Sequence, residues 1–321
     1  MLSLRSSLLV LVPFAVACGG GEVPTGGGGS APSDGGNGGQ PVVGGNGDGG
    51  TASDGGGGSA PVGGEGTGGS GGGEEPWPDC ETQPNGSPTK TLSEIWSDNP
   101  SAPAEAWVPG VYVTAVSKNG CVANEACTIF VQEDESYASI AEATHKSLRV
   151  GIAPAVASYF TGIAVNDRVD LYARAVRDTE DGQNELFFLI TPALPGCAKV
   201  VGSGTTAPLV VTLDDLTVAA YEDTVGPMLV QLNTVSGNPN LPNETFALWD
   251  TGSKGGGGIE TVTSLSPFFV QGAAFTGLAD GVNTDFLNVV GVFAVYAPDA
   301  TPLIKYEEVY VRSVADYPVV P

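Results

Sequence analysis

The chain has 321 residues, with 36 acidic against 12 basic side chains, a formal net charge of −24, 48 glycines and one histidine. A surface this acidic repels phosphate backbones and anionic lipid, so generic nucleic-acid binding starts at a disadvantage. Any histidine-metal, Ser-His-Asp or Cys-His scheme has only His145 to use.

Arg5 precedes an apolar run from Leu8 to Val16, and small residues stand ahead of Cys18, which together are the three parts of an export signal. The run is too short to cross a bilayer as a mature helix. Leu11-Val12-Pro13-Phe14-Ala15-Val16-Ala17-Cys18 resembles the lipobox of a bacterial lipoprotein signal peptide. The resemblance implies a signal peptide at residues 1–17, removed by cleavage before Cys18, and lipid added to Cys18 itself. The alternative is an ordinary secretory signal cleaved near Ala17, with Cys18 a bystander. Gly19 stands where Gram-negative lipoproteins kept at the inner membrane often carry aspartate, so the resemblance points to the outer membrane.

Residues 18–75 follow as a lipidated cysteine and a glycine-rich linker. Gly19 to Gly73 contains 28 glycines in 55 residues, with the word Gly-Gly-Gly-Gly-Ser-Ala-Pro at positions 26–32 and again at 55–61. Such a composition has maximal backbone entropy and nothing to bury, so a disordered tether is expected. Flexible-chain scaling gives it a mean span of about 40 Å.

Residues 76–321 hold 29 acidic and 11 basic side chains, a charge near −18, and are long enough for proper cores. Four cysteines lie there, and an even number in an exported chain reads as two disulfides. Three pairings are possible. Cys121 with Cys127 is favoured because the pair brackets a short loop between strand-like runs, and Cys80 with Cys197 because it pins the start of the domain to its end. A metal site is the weaker reading, since no CxxC spacing occurs.

Period-two and apolar runs predict strands at 111–116, 128–133, 148–152, 168–175 and 185–190, with Val169, Leu171, Ala173 and Ala175 pointing inward. A second set follows at 228–235, 245–249, 259–262, 286–295 and 306–312. Two copies of a five-strand plan predict two like domains, residues 76–204 and 205–321.

Three phrases carry a resemblance: Thr91-Leu92-Ser93-Glu94-Ile95-Trp96 before the first strand, Phe130-Val131-Gln132-Glu133, and Ala164 to Leu171. They resemble the OB-fold domains of bacterial exported proteins, some of which accompany nucleases or phosphatases. In the second half the match rests on Val211 to Leu216 and Val289 to Phe293. Asn166 replaces the usual glycine of a turn, which asparagine tolerates. The fold class implied is all-β, with two tandem small five-stranded OB-like barrels after the disordered linker.

Catalytic motifs do not emerge from the chain. No G-x-S-x-G or Walker phrase occurs, and Gly255 to Gly258 lacks the Lys-Ser/Thr ending of a phosphate cradle. His145 reads as a solvated loop residue. The carboxylate groups at 133–135, 178–181, 214–215 and 307–308 read as solvated acidic turns, and the loop from Asp178 departs from the EF-hand spacing. One region runs against the overall charge: Lys146, Arg149, Arg168, Arg174 and Arg177 give residues 145–177 a local balance of plus three. Ligand-binding candidates are therefore Tyr137, Arg149, Arg168, Tyr172 and Arg174, because OB folds bind oligonucleotides or sugars on strands two and three and their loops. Cross-strand ion pairing on a solvated face is the competing explanation.

The expectation is a lipoprotein bound to the membrane through acylated Cys18 that acts without catalysis, cofactor or metal as a binding or scaffold module for a protein or glycan partner. An oligonucleotide- or polysaccharide-binding accessory is the alternative, and a hydrolase would need a cleft holding His145 or two facing carboxylates.

Overall fold

The computed structural model describes residues 77–117, 120–178, 184–240, 245–250, 263–266, 278–279, 281–300 and 303–320. The signal, Cys18, the tether, the glycine run at 255–258 and the centre of the loop after Asp178 lie outside the described residues. Pro76 to Pro321 belong to one compact unit.

Thr91 opens the fold by capping helix α1 (Leu92–Asp98): its hydroxyl accepts the Glu94 N–H at 3.1 Å, and the Glu94 carboxylate accepts the Thr91 N–H at 2.8 Å. The helix buries Leu92, Ile95 and Trp96 in the first core and ends at Asn99, which takes a left-handed φ of 42°.

Strands β1 (Ala104–Val116), β2 (Cys127–Gln132), β3 (Ser147–Ile152), β4 (Asp167–Asp178) and β5 (Glu185–Ile190) form a sheet in the order β1-β2-β3-β5-β4, and β4 pairs back to β1. That last pairing closes a five-stranded barrel. One strand serves both neighbours because β1 is long and its registers shift between Val108 and Val111 and between Val113 and Ala115. Gly110 sits in the first shift at φ 69°, where a Cβ would meet the Arg168 guanidinium. Val169, Leu171, Ala173 and Ala175 fill the barrel as the alternation requires, and a 3-10 helix at Pro154–Phe160 adds Val156, Ala157 and Phe160. Asn166 takes the left-handed turn at φ 73°.

A strand not foreseen, β6 (Cys197–Ser203), pairs with β4 outside the ring. Both favoured disulfides are present. Cys80 joins Cys197 at the start of β6, and Cys121 joins Cys127 at the start of β2.

The second half repeats the opening device: the Asp215 carboxylate accepts the Thr212 N–H at 2.8 Å in a short 3-10 turn. A three-residue strand β7 (Leu209–Val211) precedes it, and α2 and α3 are single-turn elements at Ile140–Ala143 and Val218–Asp223. Strands β8 (Leu229–Asn240), β9 (Thr245–Asp250), β10 (Thr263–Ser266), β11 (Thr284–Ala300) and β12 (Leu303–Tyr310) make the second sheet. Its order is β8-β9-β10-β12-β11, with β11 also paired to β8 and β7 added beside β8. The third strand here lies at 263–266, whereas the run expected at 259–262 is outside the described residues. Val230, Leu232, Val289, Phe293, Val309 and Val311 form its core.

Candidate functional site

Along β2 the alternation sends Cys127, Ile129 and Val131 into the barrel and Phe130 outward. Yet Phe130 is only 1% exposed. It lies with Ala115 of β1 against Leu229 and Val292, with Val290 and Tyr310 at the margin, and its ring meets that of Tyr310 edge-on at 6.5 Å. Phe130 on the outer face of β2 and Ala115 at the end of β1 are thus covered by β8, β11 and β12.

Arg149, outward on β3, faces the same cover. Its Nε donates to Glu185 Oε1 at 2.9 Å, its Nη2 reaches the other carboxylate oxygen, and its guanidinium lies 4.3 Å from the Phe187 ring centre. The same Glu185 carboxylate accepts the hydroxyl of Tyr221, a residue of α3 in the second half. Burial alone would lower the Arg149 pKa, but the Glu185 carboxylate more than reverses this and holds the guanidinium charged. Burial, and then the Glu185 charge, push the Tyr221 hydroxyl well above the ordinary tyrosine range. The result is a partly buried cation, a buried shared carboxylate and a neutral phenol, bridging the two sheets.

The connection from β2 to β3 reinforces the bridge. Ala143 of α2 is buried in the second core, and Tyr137 and Ile140 pack against it. The Tyr137 hydroxyl accepts the Asp134 N–H at 3.0 Å, and burial raises its pKa. Ser147 Oγ donates to the Val225 carbonyl at 2.8 Å, while Trp96 Nε1 donates to the Ser147 carbonyl at 3.1 Å. Gly226, at φ 62°, passes so close to Trp96 that a Cβ would lie 2.9 Å from the indole.

His145 lies in a partly exposed loop turn, as expected, yet it also has partners in the second half. Its backbone N–H donates to the Thr224 carbonyl at 2.8 Å, its side-chain Nε2 lies 2.9 Å from the Asp223 carbonyl, and its ring stacks on Trp96 at 5.0 Å. Nothing local in the sequence signals this, because the partners are almost 80 residues away and α2 carries the loop to them.

On β4 the other candidates find partners at home. Arg174 stands opposite Glu105 and pairs with it. Arg168 donates through Nε to the Gly110 carbonyl at 3.0 Å and lies 5.8 Å from the Tyr112 ring centre. Tyr172 packs with Trp107 around the Cys80–Cys197 bridge, and burial followed by the Glu105 charge raises its pKa. The structure therefore gathers Tyr137 and Arg149 on one side of the barrel and Arg168, Tyr172 and Arg174 on another. Missing from the sequence reading were Phe130, Glu185 and Tyr221, which complete the first group.

No protein-family model and no curated protein matches this chain. An open groove of about 390 Å³ lies at the end of β1, lined by Val116, Ile163, Val165 and Val314 with Ser117 and Arg312. Arg312 is engaged there by Asp316 and by the Thr114 carbonyl. Of the acidic groups, Glu133 takes Lys146 and the Ser93 N–H and Asp215 caps its turn, while Glu307 and Glu308, expected as a solvated turn, lie in β12, where Glu307 accepts the Val218 N–H and Glu308 is buried. Among the described residues, no group of three or more His, Cys, Asp or Glu side chains is placed to hold a metal, and no helix is long and apolar enough to cross a membrane.

Proposed function

We propose that the chain is an exported lipoprotein, tied to the outer membrane by an acylated Cys18. Its body acts as a non-catalytic binding or scaffold module for a protein or glycan partner. The observation that carries the anchor is the lipobox-like run ending at Cys18, followed directly by a 55-residue tether with 28 glycines. A spacer of about 40 Å serves a purpose when its start is fixed to a surface. The two disulfides of the body favour an oxidising compartment.

The body is read as two OB-like barrels in tandem. Support comes from the repeated Thr-capped opening, from the same strand order in both sheets, and from the parallel pairing of third with fifth strand in each. A binding or scaffold role is favoured over a hydrolase because, among the described residues, His145, Glu133 and Glu307 bond within the fold rather than facing one another across a cleft.

Metabolic labelling with a radiolabelled fatty acid tests the anchor. The parent protein should take up label and sediment with outer membranes, and Cys18→Ser should abolish both. Membrane association that survives Cys18→Ser would overturn the reading.

A further inference from the structure

We infer that the outer face of β2 and β3, with the Ala115 end of β1, is closed by the chain's own second half, which makes the two sheets one cooperative folding unit and shuts that face to ligands. The inference goes beyond the anchoring proposal and stands without it.

Three kinds of contact carry it. The first is apolar: Phe130 and Ala115 are 1% and 0% exposed, packed against Leu229 and Val292, themselves fully buried. Phe130 and Leu229 point away from their own sheets' cores by alternation and Ala115 by the register shift after Val113, so separating the sheets would put a phenylalanine and a leucine into water. The second is the shared carboxylate. Glu185 is held by Arg149 and Tyr221 together, so separating the halves would cost it the phenol donor. The third is a line of hydrogen bonds to backbone carbonyls of the opposite half. Ser147 Oγ reaches Val225, the His145 N–H reaches Thr224 and Arg312 Nη1 reaches Thr114, and Thr206 adds a bond from its hydroxyl to the Asn166 side chain at 2.9 Å. Ser147 is 0% exposed in the intact chain, so within the closed face its hydroxyl depends on the Val225 carbonyl. The aromatic and cationic side chains that would greet a ligand on this face, Phe130, Arg149 and Phe187, are all spent on the chain itself.

Hydrogen exchange read by mass spectrometry along a urea titration of the full chain in detergent tests the inference. Peptides covering β3 and β8 should lose protection at the same urea concentration. In Leu229→Ala both should move to lower urea by the same amount, although the substitution lies in β8 alone. Should Leu229→Ala fail to fold, Ser147→Ala perturbs the contact more gently from the other side and should move both peptides together. Protection of β3 that outlasts that of β8, or a shift confined to the half that carries the substitution, would overturn it.

Discussion

On β4 the outward cation Arg174 meets Glu105 from the neighbouring strand of the same barrel, whereas on β3 the outward cation Arg149 meets Glu185 and, through it, Tyr221 of the second half. Both arginines belong to the basic stretch that stands out in an acidic chain. Glu105 keeps 38% of its side chain in water and Glu185 only 9%. Exposure decides what each pair does: a solvated cross-strand pair tunes one barrel by a fraction of a kcal/mol, while a buried shared carboxylate ties two sheets together.

The largest effect should come from the β4 side, through the covalent link beneath Tyr172. Replacing Cys80 and Cys197 together by serine frees a loop of 117 residues and should cost about 4–5 kcal/mol by chain entropy, an upper figure, read as a fall in thermal midpoint. The equivalent change at Cys121 and Cys127, six residues apart, should cost about 2 kcal/mol.

Next comes the comparison of the two acids. Glu185→Gln leaves Arg149 without its charge partner and should cost about 3 kcal/mol, the lower end for a broken buried pair because a fifth of the arginine side chain stays exposed. Glu105→Gln should cost less than about 1 kcal/mol. Urea unfolding of both variants measures the pair, and equal losses would erase the distinction between the faces.

The smallest effect is a pH dependence. Because burial and Glu185 raise the Tyr221 pKa, the unfolded chain gives up this proton first, near the ordinary tyrosine value of about 10. Stability from this group is complete below that pH and falls as pH rises past it. Tyr221→Phe should lose stability less steeply above about pH 10 than the parent. Tyr137 and Tyr172 share the direction, so some slope should remain.

Much of the first barrel was legible because its signals are local. Thr91 and Glu94 spell a capping box, the alternation of residues 168–175 names the inward side chains, and Asn166 marks a left-handed turn. The cysteine spacing also led to the disulfides found. The cover over β2 and β3 was less plain, although a trace of it exists. Residues 186–190, Leu-Phe-Phe-Leu-Ile, are apolar on both faces of a strand, which signals burial on both. That pattern tells of a cover without naming it, because Tyr221 and Leu229 lie far along the chain. Strand β6 escaped notice because Val200 and Val201 are exposed at an edge and carry no alternation. The candidates on β4 illustrate the converse: residue type showed cations and an aromatic, but their neighbours Glu105, Gly110 and Trp107 come from another strand.

Thiol labelling of the full-length protein tests the closed face most directly, by comparing cysteines placed on either side of the distinction. Ala115→Cys puts a small thiol under the cover with little change in volume, and Val200→Cys puts one on β6 where the native side chain is 46% exposed. With maleimide under native conditions, Val200→Cys should label rapidly, whereas Ala115→Cys should stay unreactive until urea unfolds both sheets. Labelling of Ala115→Cys at the rate of Val200→Cys in the folded protein would contradict the account.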